Sequence, residues 1–267
     1  MKEIDQKLSY LLGFLQADGH RVKLHPNNIQ IELSAKDIDI LQKIKKEFSL
    51  PLDIRSRIRD TNFAKNYASC SLNIHAKSIE NIIEYIPQGK KSETIMPPNC
   101  KYSEYDYWRG IIDGDGSIGF RNGRSTPTPY ISLVTNSGHL AEAFELFLFK
   151  ETYSKNKSSK NKRDNCYNIV LGGYYVFTFL EKVYYDKCLA LDRKLNKAAN
   201  ILSSNWLSLT KKRPFSREED TFLLTLPLSE IMRFSTRDPS VLRTRLKYLS
   251  IRNIDDIKKL YNIEYYI

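Results

Sequence analysis

The sequence predicts an α+β fold made of two copies of one unit followed by a small helical module. Three observations carry that prediction. Tyr10-Leu-Leu-Gly-Phe-Leu-Gln-Ala-Asp-Gly19 is echoed by Tyr107-Trp-Arg-Gly-Ile-Ile-Asp-Gly-Asp-Gly116, an offset of 97 residues between Asp18 and Asp115. Each copy leads into the same order of helix and strand patterns, so the repeat is structural as well as textual. After about residue 208 the pattern changes to three short helical stretches in a row, a different kind of unit.

In the first copy the motif reads as a helix. Strand-like stretches follow at Arg21–His25 and Ile29–Ser34. Residues Asp37–Phe48 carry Ile38, Leu41, Ile44 and Phe48 at helical steps. Strands are then expected at Leu52–Arg59 and Tyr67–His75, and a helix at Ala76–Tyr85. Lys91–Ser103, with Pro97-Pro98, reads as a linker. The second copy repeats the order. Strands are expected at Ser117–Arg121 and Tyr130–Thr135, a helix at Gly138–Lys150, strands near Glu151–Ser154 and Tyr167–Leu171, and a helix at Tyr174–Tyr184. A further helix is expected at Asp192–Leu202. The expected domains are 1–95 for the first repeat, 96–207 for linker and second repeat, and 208–267 for the helical module.

The chain has 267 residues, 42 Lys+Arg against 31 Asp+Glu, and a formal net charge of +11. That excess points to a polyanionic partner, nucleic acid being the simplest. Four Cys without a C-x-x-C pair argue against a disulfide scaffold or zinc ribbon. No apolar run is long enough to cross a membrane, and the N-terminal segment lacks a signal-peptide pattern. An intracellular location is expected, in an organelle (mitochondrion or chloroplast) or a phage or bacterial cytoplasm, since the abundant Lys, Asn, Ile, Tyr and Phe have AT-rich codons.

Gly13 and Ala17 lie four apart, as do Gly110 and Gly114. Such spacing lets helix backbones approach closely. Glycine inside a helix costs roughly 1 kcal/mol relative to alanine, and close packing is the simplest offset. Each motif ends in Asp-Gly, and Gly19 and Gly116 are expected to adopt a left-handed C-terminal cap. Asp18 and Asp115 then sit at helix C-termini, where a carboxylate faces the negative end of the dipole. Two such helices packed in parallel would bring two carboxylates together, which repel unless a cation lies between them. Hard oxygen ligands suit Mg²⁺, which can bridge phosphate oxygens and activate water.

Leu11-Leu-Gly-Phe-Leu-Gln-Ala-Asp-Gly19 and Trp108-Arg-Gly-Ile-Ile-Asp-Gly-Asp-Gly116 resemble the two signature motifs of a single-chain LAGLIDADG homing endonuclease, with a helix-turn-helix-like extension here. The resemblance covers roughly residues 8–205. It implies a pseudo-twofold αββαββα pair whose sheets form a saddle on the DNA major groove. It also implies Mg²⁺-dependent double-strand cleavage leaving 3′ overhangs, with Mn²⁺ as a substitute, by a monomer acting as an internal pseudo-dimer. By motif position the implied metal ligands are Asp18 and Asp115, with the Ala17 and Gly114 backbone as further oxygens. The earlier acidic position of the motif is Asp113 in repeat 2 but Gln16 in repeat 1, a departure from the family pattern. Members often place a lysine near each scissile phosphate. Lys91 and Lys194 fit by spacing, with Lys90 and Arg193 as neighbours that compete for the role.

A sheet on DNA presents alternate side chains to the groove. Arg55, Arg57 and Arg59 share one face of their strand, with Ile54 and Ile58 on the other. Further expected contacts are Lys23, His25, Gln30, Glu32, Ser69, Ser71 and Asn73 in repeat 1. Repeat 2 offers Arg121, Arg124, Ser132, Asn168 and Lys157, the last from the basic stretch Lys155–Arg163. In the C-terminal module a Myb- or homeodomain-like arrangement is expected. Phe222, Leu223, Leu226, Ile231, Phe234, Val241 and Leu246 would form its core, and Arg243, Thr244 and Lys247 would face outward on a recognition helix. The leading expectation is a site-specific DNA endonuclease. The alternative is a non-cleaving nucleic-acid binder of the same fold, an intron RNA maturase or a transcription regulator. Paired aspartates favour the enzyme, because a pure binder has no need of them.

Overall fold

A computed structural model describes residues 3–22, 25–60, 65–87, 91–122, 127–152, 158–206, 215–235, 237 and 239–250. The chain divides into two compact units, 1–209 and 210–267.

The first unit contains two copies of one arrangement. The first runs α1 (Gln6–Asp18), β1 (Gly19–Val22), β2 (His25–Ser34), α2 (Ile38–Glu47), β3 (Arg55–Arg59) and β4 (Tyr67–His75), followed by the short α3 (Lys91–Thr94). The second runs α4 (Glu104–Asp115), β5 (Gly116–Arg121), β6 (Thr128–Thr135), α5 (Gly138–Thr152), β7 (Ser159–Lys160), β8 (Tyr167–Gly172), α6 (Tyr175–Val183) and α7 (Asp192–Leu202). Each copy makes one antiparallel four-stranded sheet, ordered β1-β2-β4-β3 and β5-β6-β8-β7. The α+β class and the two-repeat order agree with the sequence.

Alternation sorts each sheet into two faces. In the first, Ile29, Ile31, Cys70, Leu72 and Ile74 are buried. In the second, Ile118, Ile131, Leu133, Ile169 and Leu171 are buried. Helix α2 contributes Ile40, Leu41 and Ile44 to the same core. Helix α1 starts at Asp5, whose carboxylate accepts the Leu8 amide at 2.8 Å. Nearly all of α1 beyond that first turn is buried, from Ser9 to Ala17, because α4 packs along it.

The motif glycines allow that packing. A Cβ on Gly13 would lie 3.0 Å from the Ile111 nitrogen and closer still to the Tyr107 carbonyl oxygen. A Cβ on Gly110 would lie 2.7 Å from the Phe14 nitrogen and closer still to the Tyr10 carbonyl. The two helices therefore meet backbone to backbone, as the small-residue spacing predicts.

Several local expectations are corrected. Gly19 and Gly116 are extended, with φ of −76° and −84°, because each begins a strand directly. Glycine is required there for space. A Cβ at either position would lie 2.7 Å from the carbonyl oxygen of Leu15 or Ile112. Residues 76–85 form two 3-10 turns, Ala76–Ile79 and Ile83–Tyr85, in place of one helix. Ile79 ends the first and Ile82 precedes the second, the Ile82 amide donating to the Ile79 carbonyl at 2.9 Å, and both side chains are buried in the core. Helix α5 continues to Thr152, so the strand expected near Glu151–Ser154 is not formed at Glu151 and Thr152, and the edge strand comes later, at Ser159–Lys160. Ile58, on the face of β3 opposite the arginines, is 72 % exposed on this edge strand, whereas Ile54 just before it packs partly against the core.

The second unit holds α8 (Arg217–Thr225), α9 (Leu228–Phe234) and α10 (Pro239–Ser250). Ser216 and Glu219 form the reciprocal capping box, with the Glu219 amide donating to Ser216 Oγ at 3.2 Å and the Ser216 amide to Glu219 Oε2 at 2.9 Å. The core is Leu223, Ile231, Leu242 and Leu249. Phe222, Phe234 and Val241, expected inside, are exposed. Asp220 instead takes an inward position on α8, and Arg245 grips it in a two-pronged ion pair, with Nε to Oδ1 at 2.8 Å. Among the described residues no helix is long and apolar enough to cross a membrane.

Candidate functional site

Helices α1 and α4 run side by side and end together. Asp18 is half-buried and Asp115 exposed, each the last residue of its helix. A Cβ on Gly114 would meet the Ala17 side chain and lie 3.0 Å from Asp18 Oδ2. The Asp18 carboxylate thus rests against the residue preceding Asp115, and glycine at 114 leaves room for it. Among the described residues no group of three or more His, Cys, Asp and Glu side chains is placed to hold a metal. The donors at this point are two carboxylates with neighbouring backbone carbonyls, an all-oxygen set that suits a hard divalent cation.

The departure at Gln16 has a structural explanation. Gln16 and Asp113 are equivalent, and both are 1 % exposed. Tyr107 donates its hydroxyl across the helix pair to Gln16 Oε1 at 2.6 Å, and Tyr10 donates to Asp113 Oδ2 at 2.9 Å. Gln16 Nε2 also donates to the carbonyls of Tyr85 and Met96, at 2.7 and 3.0 Å. A carboxylate could not donate to them. Asp113 accepts from the Tyr184 hydroxyl at 2.7 Å and the Leu191 amide at 2.8 Å, so it faces only donors. Burial raises the Asp113 pKa, and those three bonds oppose the shift. Both residues lock the helix pair internally. Tyr10 and Tyr107 open the two quoted motif copies, so their equivalence is visible in the sequence, but the exchange of hydroxyls across the pair is not.

Lys194 is 2 % exposed. Its ammonium donates to the Ile112 carbonyl at 2.8 Å and to the Gly116 carbonyl, the last carbonyls around the end of α4. It is a second donor to the Ile112 carbonyl, which also accepts the Gly116 amide, and so it ties the end of α4 to the start of β5. Burial lowers its pKa to about 8, while the negative charges of Asp113 and Asp18 act in the other direction. Arg193 is bound to Asp37 at 2.7 and 3.1 Å, tying the start of α7 to repeat 1. Lys91 opens α3, but its side chain and all of Lys90 lie outside the described residues.

The strand register collects the polar candidates on one face. In sheet 1 Gln30 pairs with His20 and Asn73, Glu32 with Ser71, Arg55 with Ser71, Arg57 with Ser69, and Arg59 with Tyr67. Directly paired residues point the same way, so all of these lie opposite the buried Ile29–Ile31 face. Arg55 and Arg57 are exposed. Arg59 is bound to Glu32 at 2.9 Å, and Ser69, itself buried, donates to the same Glu32 oxygen at 2.8 Å. His20 was not foreseen. It belongs to this face and contacts Gln30 at 3.1 Å. Its neighbour Arg21 turns the other way, donating to the Ile83 and Ile86 carbonyls. Lys23 lies outside the described residues, and His25 begins β2 with its side chain outside them.

In sheet 2 the equivalent face carries Ser117, Arg121, Tyr130, Ser132, Val134, Asn168 and Val170. Arg121 lies over the Tyr130 ring at 4.5 Å, and Ser117 bonds the Tyr130 hydroxyl at 3.2 Å. Arg124 and Lys157 lie outside the described residues. In the second unit Arg243 is exposed, and the side chains of Thr244 and Lys247 lie outside the described set. A cleft of about 520 Å³ lined by Gln6, Lys7, Lys46, Arg109 and Lys187 opens at the start of α1, about 18 Å along the helix from Asp18. It shares no residue with the paired-aspartate site.

The chain belongs to the LAGLIDADG-like domain family, whose sequence model matches residues 5–87 and 104–184. The two matches fall on the two repeats. Among solved structures the fold is similar to the homing endonuclease I-WcaI bound to its DNA recognition sequence, at 15 % identity and TM-score 0.56, covering 71 % of this chain and 85 % of that one. Weaker likenesses are to the homing endonuclease I-GzeII in complex with its DNA target (15 % identity, TM-score 0.44, 85 % and 96 % covered). Another is to the N-terminal LAGLIDADG domain of DUF199/WhiA (16 % identity, TM-score 0.44, 71 % and 86 % covered). No curated protein sequence matches the chain.

Proposed function

We propose that this protein is a site-specific DNA endonuclease that acts as a monomer on double-stranded DNA and needs a divalent metal. The observation that carries the reading is the shared end of α1 and α4, where Asp18 rests against Gly114 beside Asp115, with the polar faces of two sheets alongside in the same unit. Family membership supports a nuclease reading over a structural one. Asp18 and Asp115, with the carbonyls of Ala17 and Gly114, would hold Mg²⁺ or Mn²⁺. The ion would supply charge neutralisation at the scissile phosphate and acidify a bound water. The protein's own part is to hold two carboxylates at one point on a rigid helix pair. Lys194 fixes the end of α4 and sets a positive charge near the carboxylates. Arg55, Arg57, Gln30 and Asn73 in repeat 1, and Arg121, Ser132 and Asn168 in repeat 2, would read the two halves of an extended site. Cleavage leaving 3′ overhangs, and an intracellular setting, complete the proposal.

Selection of cleaved sites from a randomised DNA library in Mg²⁺, with Ca²⁺ as the comparison, tests this reading. One long site cut on both strands is expected. Sites that are bound but never cut would favour the non-cleaving binder.

The C-terminal unit is proposed to lengthen the footprint through the exposed Arg243 on α10. Removing residues 211–267 should shorten the protected region on the selected site. An unchanged footprint would contradict a DNA-binding role for this unit.

A further inference from the structure

The two sheet faces are built from different chemistry, although their registers match. Gly19 pairs with Ile31 and Gly116 with Leu133, so Ile31 and Leu133 are equivalent. Glu32 then corresponds to Val134. Gln30 pairs with Asn73 where Ser132 pairs with Val170, so Asn73 corresponds to Val170. At both places the second sheet has a valine where the first has a polar or charged side chain.

These valines do not belong to the core. Val134 is 44 % exposed and Val170 is half-buried, while Leu133, Ile169 and Leu171 beside them in sequence are buried on the opposite face. Val134 pairs with Asn168 and Val170 with Ser132 across the same two strands. That makes the valines diagonal neighbours, with Cβ atoms about 7 Å apart, on inner strands of the sheet. The result is an apolar strip inside a surface otherwise made of Ser117, Arg121, Tyr130, Ser132 and Asn168.

We infer that Val134 and Val170 form an apolar reading strip for thymine methyl groups in the half-site bound by repeat 2. The inference rests on the DNA-binding reading above. In the major groove the thymine C5-methyl is the one apolar group on a base-pair edge, and apolar side chains recognise it. Valine presents two methyls on a short, stiff stem, so a contact with a base methyl requires little ordering. The equivalent Glu32 and Asn73 cannot make that contact. The two half-sites should therefore differ in kind. The repeat 1 half is chosen by hydrogen bonding from Arg55, Arg57, Gln30 and Asn73. The repeat 2 half has at least one position chosen for a methyl group.

The test replaces thymine by deoxyuridine, which removes the methyl and leaves base pairing intact. Bound sites are first selected from a randomised duplex library with the full-length protein in Ca²⁺. Selection with Arg57→Ala relaxes one half and so assigns it to repeat 1. Each thymine of the other half is then replaced singly by deoxyuridine, and affinity is measured by fluorescence anisotropy. At one or more positions affinity should fall about three- to tenfold, the scale of one buried methyl group. The double variant V134A/V170A should bind thymine and deoxyuridine duplexes equally. V134N/V170N, which gives both positions the amide that repeat 1 carries at Asn73 and removes the methyls at similar size, should show the same loss of discrimination and guards against misfolding of the alanine variant. Wild-type binding indifferent to deoxyuridine throughout that half would overturn the inference, as would discrimination that survives in both variants. If no sequence is enriched at all, it is the DNA-binding reading that fails.

Discussion

Gln16 and Asp113 hold equivalent positions and are solved differently because their surroundings differ. Gln16 meets two carbonyls and a hydroxyl, whereas Asp113 meets two hydroxyls and an amide. The sequence departure is thus a matter of donor and acceptor count within the helix pair, and it leaves Asp18 and Asp115 in matching places. Lys194 carries the clearest pH signature. Its folded pKa is about 8 against an ordinary 10.5, with burial as the main cause. Between those values the unfolded chain holds a proton that the folded chain has released. Stability from this group therefore rises with pH across that window and is level below it. The stability of the wild type relative to Lys194→Met should rise from pH 8 to pH 10.5, at a slope approaching about 1.4 kcal/mol per pH unit in urea unfolding. A difference that stays level would show that Lys194 is charged throughout. Little of this was legible beforehand. Spacing nominated Lys194 with Arg193 as a rival one residue away, and only the packing shows that Lys194 binds the end of α4 while Arg193 is committed to Asp37.

The α1–α4 pair organises the first unit. Gly110→Ala would push a methyl into the Tyr10 carbonyl and the Phe14 amide. Ordinarily alanine favours a helix by about 1 kcal/mol over glycine. Here the sign should reverse, with a loss of about 1–3 kcal/mol in denaturant unfolding, typical of overpacking. A stabilised Gly110→Ala protein would contradict the backbone-to-backbone crossing. This contact could be read in advance because small residues at i, i+4, Gly13 with Ala17 and Gly110 with Gly114, say little else inside an apolar helix. The inner strands were readable because strict alternation fixes which residues share a face, whereas the two-residue edge strand Ser159–Lys160 has no alternation to show it. What failed were places where tertiary context decides. Residues 76–86 carry helical spacing in Ile79, Ile82, Ile83 and Ile86 but fold as two short 3-10 segments joined by a turn. Gly19 is required for space, and its φ is one any residue adopts. In the second unit, the burial of Asp220 with Arg245 took an inward place on α8 and left Phe222 outside.

For the whole molecule, the +11 charge is unevenly placed among functions. Arg109, Lys194, Arg237 and Arg245 are bound to carboxylates or carbonyls within the fold, so they are not available to a partner. Arg55, Arg57, Arg121 and Arg243 are exposed. Against that basic background the two aspartates ending α1 and α4 are the feature that binding alone does not require. We propose that the two act together in cutting DNA. Asp18→Asn and Asp115→Asn should each retain binding to the selected site in Ca²⁺ and lose double-strand cleavage in Mg²⁺, by at least about a hundredfold for loss of a charge that stabilises the reacting centre. Full double-strand cleavage by either variant, with binding intact, would show that the two carboxylates are not a joint catalytic pair.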